Sequence, residues 1–138
     1  MSFALNLFRA ADTATFLRRL MAFDAITSGA MGVMLVVGAG ILGPLLNLPV
    51  PLLRASGVIL IPFALCVGLV AARAATSRPA VLTIALVNAV WVVGSLGLLF
   101  SGHVSPNLFG MAFVAAQAAF VGVLAELQVI GAKRLAAE

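Results

Sequence analysis

The chain has 138 residues, of which 64% are hydrophobic and only 9% are charged. A soluble globular domain carries about 25% charged residues, so these few charges could not cover the surface of a water-soluble fold of this size. The net charge of +4 comes from side chains that are too few and too scattered to form a phosphate-binding stripe, which excludes a nucleic-acid-binding protein. The expected solvent, and the first expected partner, is a lipid bilayer.

The residues that usually carry enzyme chemistry are nearly absent. Cys66 is the only cysteine and His103 the only histidine, which excludes an intramolecular disulfide and a multi-thiolate metal site. No pair of carboxylates occurs at helical spacing, and no Ser-His-Asp set can be placed on one side of a membrane. We therefore expect no enzymatic activity, no metal site and no cofactor.

The first part of the chain differs from the rest. Residues 1–19 hold Arg9, Asp12, Arg18 and Arg19 between phenylalanines and leucines. This pattern predicts a short amphipathic helix that lies on the membrane surface before the first span, and a frayed terminus is the alternative.

Long uncharged stretches follow, and two polar interruptions divide them. Residues 43–51 (GPLLNLPVP) are predicted not to continue a helix, because proline removes a backbone donor. Residues 101–107 (SGHVSPN) split the uncharged stretch 79–125, which is far longer than the ~20 residues one span requires. The fold class predicted is an all-α integral membrane four-helix bundle over residues 20–129, with a tail at 130–138. The spans are placed near residues 20–42, 52–73, 80–100 and 105–128.

The placement of basic residues predicts the orientation. Seven of the eight lysines and arginines flank one side of the predicted spans, and only Arg54 lies on the other. The positive-inside rule then puts both termini and the tail in the cytoplasm. For a bacterial protein, the membrane would be the inner one.

A weak internal similarity suggests two tandem helical hairpins. Residues 29–35 (GAMGVML) are similar to residues 94–100 (GSLGLLF), and residues 67–71 (VGLVA) to residues 121–125 (VGVLA). Duplicated hairpins would be related about an axis along the membrane normal. Chance similarity between apolar stretches is the alternative.

Asp24 is the polar residue that most needs an explanation. It lies about one turn, or ~6 Å, inside the first span, where a carboxylate is costly and is expected to face protein or water. One interpretation is a proton- or cation-binding carboxylate. The alternatives are an interfacial residue paired with Arg73 or Arg78, or a helix cap.

Other polar side chains are predicted to join Asp24 in the cytoplasmic half of the bundle. Thr27 and Ser28 share a helix face with Asp24, and Asn88 and Trp91 share a face of the third span. Such a group is either structural, through hydrogen bonds between helices, or a substrate or ion site. The candidate polar cluster comprises Asp24, Thr27, Ser28, Asn88, Trp91 and Gln117.

Three residues outside this cluster have simpler interpretations. Arg54, at the external start of span two, either reaches the lipid headgroups or closes the outer mouth of the bundle and attracts an anion. Glu126 is expected to form an interfacial ion pair with Lys133 or Arg134. Pro62 is expected to kink span two.

Several short motifs carry a resemblance to a known group of proteins. They are residues 24–30 (DAITSGA), 53–57 (LRASG), 62–63 (PF), 88–91 (NAVW) and 116–117 (AQ). With these motifs the chain resembles a group of small, uncharacterised bacterial four-span inner-membrane proteins. The resemblance implies the four-span fold and no particular activity. Small multidrug transporters are similar in length and span number, but their essential glutamate sits deeper than Asp24.

Three functions are compatible with the sequence. The first is a small non-catalytic accessory or structural membrane subunit that binds a membrane protein partner. The second is a small transporter or channel, a homodimer, that uses Asp24 with Asn88 and Gln117. The third is lipid or quinone binding in a groove beside Trp91 and Pro62.

Overall fold

A computed structural model of the chain describes the backbone of residues 2–137 and the side chains of residues 12–135. The described backbone forms four α-helices and no strand: α1 (Ser2–Leu46), α2 (Val50–Ala72), α3 (Arg78–Phe100) and α4 (Leu108–Ala137). Each helix includes a stretch that is long and apolar enough to cross a membrane. The prediction of an all-α, four-helix membrane bundle is confirmed.

Helix α1 begins earlier than the predicted first span. No break separates the segment 1–19 from that span, because residues 2–28 contain neither proline nor glycine to interrupt the helix. Thr13 and Leu17 are buried against the bundle, so this part of the segment is not a separate helix on the membrane surface. The side chains of residues 1–11, which were predicted to give the segment its amphipathic character, lie outside the described residues.

The first connection is shorter than predicted. Helix α1 continues through Gly43 and Pro44 and ends at Leu46, so the prediction that residues 43–51 interrupt the helix is wrong at both ends. A proline in the last turn removes only one hydrogen bond, and α2 in turn begins with Pro51 in its first turn, where no donor is needed. Asn47 ends α1 with a positive φ of 54°, and the Leu48 N–H donates to the Gly43 carbonyl (3.0 Å).

The four helices form an open arrangement. Helix α1 packs closely along α2, α3 packs along α4, and α1 also contacts α4, whereas α2 and α3 barely touch. Helices α1 and α2 approach closely at Gly32 and Gly57, where a Cβ added at Gly57 would lie 2.6 Å from the Gly32 carbonyl oxygen. The chain is thus two hairpins joined through α1 and α4, with a gap between α2 and α3.

The connections and termini divide the bundle into two ends. At the first, Arg18 of α1 donates to the Ala74 carbonyl (2.6 Å) and Arg78 of α3 to the Ala132 carbonyl (3.3 Å). At the second, the Asn107 side chain donates to the Leu45 carbonyl (2.8 Å). We call the second the Asn47 end. We call the first the basic end, because it holds Arg18, Arg19, Arg73, Arg78, Lys133 and Arg134.

The two hairpins are only partly equivalent. Gly68 of α2 faces Ala25 of its hairpin partner, and Gly122 of α4 faces Val92 in the same way. Gly32 lies against α2, but a Cβ at Gly97 would meet nothing within 4 Å, so the similar stretches 29–35 and 94–100 do not occupy equivalent environments. Helix α4 runs to Ala137, so the predicted tail 130–138 is helical as far as it is described.

Candidate functional site

A buried group of three polar side chains links three helices. The Asp24 carboxylate of α1 accepts hydrogen bonds at Oδ2 from Asn88 Nδ2 of α3 (2.9 Å) and from Gln128 Nε2 of α4 (2.7 Å). Asn88 Nδ2 also donates to Gln128 Oε1 (3.0 Å), which closes the group on itself. Asp24 and Gln128 are 0% exposed and Asn88 is 4% exposed. We call these three residues the Asp24 layer.

All the hydrogen-bond partners of the Asp24 carboxylate act as donors. The Ser28 hydroxyl, one turn further along α1, donates to Asp24 Oδ1 (2.9 Å), so the carboxylate accepts three hydrogen bonds in total. This donor set fits an ionised carboxylate, which can only accept. The expected pairing of Asp24 with Arg73 or Arg78 is wrong, because Asp24 bonds to amides and a hydroxyl, and no ion pair occurs among the described side chains.

Apolar residues close the Asp24 layer on the side of the basic end. Met21, Ile84 and Ala132 lie one helical turn from Asp24, Asn88 and Gln128 in that direction, and all three are buried. Leu17 and Val81 form a second apolar layer beyond them, and both are 0% exposed. Two layers of apolar side chains therefore separate the carboxylate from the basic end.

A second polar group lies nearer the Asn47 end. Trp91 Nε1 of α3 donates to Gln117 Oε1 of α4 (2.9 Å), and the Ser95 hydroxyl donates to the Trp91 carbonyl (2.7 Å). We call Trp91, Gln117 and Ser95 the Trp91 layer. Unlike the Asp24 layer, it is only half-buried.

The predicted polar cluster is thus two groups. Asp24, Ser28 and Asn88 come together as expected, but Gln117 lies eleven residues from Gln128 along α4, about 16 Å by helical rise. Gln117 bonds to Trp91 instead, so its predicted place beside Asp24 is wrong. Thr27 donates to the carbonyl oxygens of Phe23 (2.9 Å) and Asp24 (3.2 Å) within its own helix and joins neither group.

Gln128 is the member of the site that was not predicted from the sequence. The predicted fourth span ended at residue 128, which left this glutamine at an apparent membrane boundary. A spacing of eleven residues is close to three helical turns, so Gln117 and Gln128 share one face of α4. Two glutamines at this spacing in a mostly apolar helix were the signal for a second inward-facing polar residue.

Three small cavities surround Trp91 inside the bundle. The outer one, about 70 Å³, is lined by Leu48 and Ser56 near the Asn47 end and reaches Trp91 and Gln117. A middle one of about 140 Å³ is also lined by Trp91 and Gln117 and extends to Ser28. An inner one of about 50 Å³ is lined by Ser28, Trp91 and Asn88. Together they reach from the α1–α2 connection to the Asp24 layer.

Arg54 and Pro62 lie away from these cavities. Both side chains are exposed on α2, and neither lines any of the three cavities. Arg54 therefore does not close any of these three cavities, as the outer-mouth interpretation would require. The proposed groove that joins Trp91 to Pro62 is likewise not formed, because Trp91 faces the interior and Pro62 faces outward.

A groove on the outside of α3 and α4 contains the second embedded carboxylate. Two adjoining depressions, about 630 and 400 Å³, are both lined by Val92, Gly122 and Glu126. We call them together the α3–α4 groove. The Glu126 side chain is exposed there and makes no hydrogen bond or ion pair with any other described residue. The expected ion pair of Glu126 with Lys133 or Arg134 is therefore not present.

The class of the protein follows from its fold and interior. It is a small helical membrane protein with a buried carboxylate–amide centre, and no group of three or more metal-binding side chains occurs among its described residues. No protein-family profile, curated protein or solved structure matches the chain.

Proposed function

We propose that this chain is a non-catalytic membrane subunit that binds a transmembrane helix of another membrane protein in its α3–α4 groove. Its own buried polar side chains bond to one another, and none is left without a partner in the described part of the chain. The groove is where a polar side chain remains unpaired on the lipid-facing surface.

The observation that carries this proposal is the position of Glu126. It lies two residues from Gln128 along α4, about 3 Å further from the basic end than the Asp24 layer. A carboxylate that faces lipid at that depth is costly and is relieved by a cation or a hydrogen-bond donor. Ala115, Ala119 and Gly122 beside it let another helix approach closely.

Charge complementarity favours a different protein over a second copy in the groove. The chain has no lysine or arginine between Pro79 and Ala125, nor between Ala55 and Ala72. A second copy in the same orientation would therefore bring no cation to the depth of Glu126 and would place two carboxylates together. We infer that the partner helix carries a basic or hydrogen-bond-donating residue at that depth.

In-membrane photo-crosslinking tests the proposal. A photoreactive residue at Ala119, in the groove, is expected to attach to one membrane protein, and the same residue at Leu65, exposed on α2, to lipid alone. Glu126→Leu is expected to reduce the Ala119 adduct about fivefold, the loss of one interhelical hydrogen bond of about 1 kcal/mol. Replacing the complementary residue of the partner helix should cause the same reduction.

Two results would contradict this assignment. An adduct between two copies of the chain would indicate a homodimer interface at the groove. An adduct with lipid alone, unchanged by Glu126→Leu, would mean that the groove binds no helix.

We also propose that the protein lies in a bacterial inner membrane with both termini in the cytoplasm. The seven-to-one division of its basic residues supports this orientation. The resemblance to the uncharacterised four-span inner-membrane proteins supports the same membrane.

A second candidate function is favoured by the cavities around Trp91. A small transporter or channel needs a polar route through its interior, and the three cavities lead from the Asn47 end to residues that bond to Asp24. For this function, Asp24→Asn is expected to abolish proton flux in reconstituted vesicles while the protein remains folded. Unchanged flux would exclude it.

A further inference from the structure

We propose that Asp24 binds a proton that reaches it only from the Asn47 end, through the cavities around Trp91 and the hydroxyl of Ser28. This deepens the second candidate function, because it names a ligand and a side of entry. It concerns the interior of the bundle and does not depend on the partner proposed for the α3–α4 groove.

The cavities have the size and the lining to hold water. A buried water needs roughly 10–15 Å³ and two to four polar partners. The middle cavity has about 140 Å³ and is lined by the polar side chains of Thr27, Ser28, Trp91 and Gln117. The inner cavity has about 50 Å³ and is lined by Ser28, Asn88 and Trp91. Both can therefore contain water next to the Ser28 hydroxyl.

Ser28 connects this water to the carboxylate. A hydroxyl has one donor and two acceptor positions, and the Ser28 hydroxyl already donates to Asp24 Oδ1 (2.9 Å). A hydronium ion in the inner cavity can donate a proton to Ser28 Oγ while that hydroxyl passes its own proton to Asp24 Oδ1. The hydronium becomes water, the hydroxyl is restored, and the carboxylate becomes a neutral carboxylic acid.

The geometry favours a proton over a metal cation. Asp24 lines none of the three cavities, and its Oδ2 atom is already bonded to the amide donors of Asn88 and Gln128. A sodium or potassium ion would need direct contact with several oxygen atoms, and two of the nearest groups present N–H donors. A proton needs only the hydroxyl relay.

Access from the basic end is closed. Met21, Ile84 and Ala132 lie one turn below the Asp24 layer, and Leu17 and Val81 two turns below, all of them buried. In the opposite direction, Ser28 and Trp91 lie one turn above and line the cavities. The carboxylate is thus separated from the cavities only by Ser28 and its amide partners on one side, and from the basic end by apolar side chains on the other.

Among the side chains that the structure describes, no other charged group faces Asp24 from the helices packed around it. On α1 and α3, the guanidinium groups of Arg18 and Arg78 bond to backbone carbonyls at the basic end. The remaining charged groups of the described helices are exposed, and they are Asp12 and Arg19 on α1, Arg54 on α2, Arg73 at its end, and Glu126, Lys133 and Arg134 on α4. The proton therefore neutralises a carboxylate that has no counter-charge among the described residues.

Infrared spectroscopy of the full chain in vesicles tests the proton site. The chain has only two aspartates, so ¹³C-aspartate in an Asp12→Asn background labels Asp24 alone. Acidification is expected to produce an isotope-shifted carboxylic acid band. Glu126→Gln is the matched control and should leave the band unchanged. A missing band throughout the range in which the protein stays folded would overturn the proposal.

The side of entry is tested with vesicles of known orientation. A C-terminal tag, which follows α4 at the basic end, separates vesicles with that end outward from those with it inward. A rapid external acid step should produce the band quickly only when the Asn47 end is outward. An equally fast response in the other population would overturn the one-sided route.

Two hydroxyls, one at the cavities and one away from them, separate the relay from a general effect of removing a hydroxyl. Ser28→Ala is expected to slow protonation after the acid step about 100-fold, within the range that a positioned proton-transfer group contributes. Thr83→Val, which removes an exposed hydroxyl that donates to the Pro79 carbonyl (2.8 Å) and lines none of the three cavities, should leave the rate unchanged. Equal rates in both variants would contradict the relay. Proton uptake without flux in the same vesicles would support the site and exclude the transporter.

Discussion

The Asp24 layer and the Trp91 layer use similar side chains in different surroundings. Each includes an amide from α3 or α4, and each joins those two helices by a hydrogen bond of 2.9–3.0 Å. The Asp24 layer also bonds to α1 and is almost completely buried, whereas the Trp91 layer is half-buried and surrounded by cavities. Similar polar side chains that join helices can therefore be buried in one layer and line cavities in another, depending on the helices packed around them.

The difference arises from the helix arrangement. At the Asp24 layer, side chains from α1, α3 and α4 converge, and only the inner cavity of about 50 Å³ reaches them, at Asn88. At the Trp91 layer, α1 lies against α2, and α2 barely contacts α3. Because of this gap, the side chains of α3 and α4 do not fill the interior. We expect the Asp24 layer to contribute more to the stability of the bundle. We expect the Trp91 layer to provide access for water to the interior.

Asn88→Leu tests this with the largest expected effect. The substitution leaves Gln128 Oε1 without its donor and removes one hydrogen bond from the Asp24 carboxylate. We expect the free energy of unfolding to fall by about 3 kcal/mol, because a buried charged group loses a partner. Detergent-induced unfolding in mixed micelles measures it. Ala89→Leu, exposed on the same helix, is the control, and equal values for both would contradict the structural role of the layer.

Gly57→Leu tests what stabilises the bundle near the cavities. A Cβ at Gly57 would lie 2.8–2.9 Å from atoms of Val36, in addition to its contact with Gly32. We expect a loss of about 2 kcal/mol in the same unfolding assay, because α1 and α2 must move apart. Gly94→Leu is the matched control, since nothing lies within 4 Å of a Cβ there. A similar loss for Gly94→Leu would show that replacing a helix glycine is destabilising in itself, and would contradict the role of the contact between α1 and α2.

Gln117→Leu should have a smaller effect than either of these. It removes the acceptor of the Trp91 indole, a half-buried group that cavity water can also satisfy. We expect a loss of about 0.6–1 kcal/mol, typical of a hydrogen bond between membrane helices. Trp91 is the only tryptophan, so its fluorescence reports the change directly. A loss as large as that of Asn88→Leu would remove the distinction between the two layers.

The sequence predicted the helices better than the contacts between them. The lengths of the uncharged stretches predicted four spans, because hydrocarbon excludes charged side chains whatever the helices pack against. Their ends were less certain, since Pro44 lies within α1 and Pro51 within α2. A proline is compatible with the first or last turn of a helix, so it marks a boundary only to within one turn.

The site was predicted in part for a similar reason. Helical periodicity correctly placed Asp24 with Ser28 and Asn88 with Trp91, since these pairs depend on one helix each. The pairing between helices depends on their relative shift along the membrane normal. The shift of α4 brings Gln128, and not Gln117, to Asp24, and no pattern within a single helix determines it.

Val121→Ile distinguishes a wet cavity from a dry one with the smallest change. Val121 lines both the middle and the inner cavities, so the added methylene enters them without touching a hydrogen bond. In a dry apolar cavity it would stabilise the protein by about 0.8 kcal/mol. If the cavities contain water, the methylene displaces it, and we expect almost no gain in stability together with slower protonation of Asp24.

Val90→Ile, exposed on α3, should change neither quantity. A full gain with unchanged protonation would show a dry interior and would separate the polarity of the Trp91 layer from any route to the carboxylate.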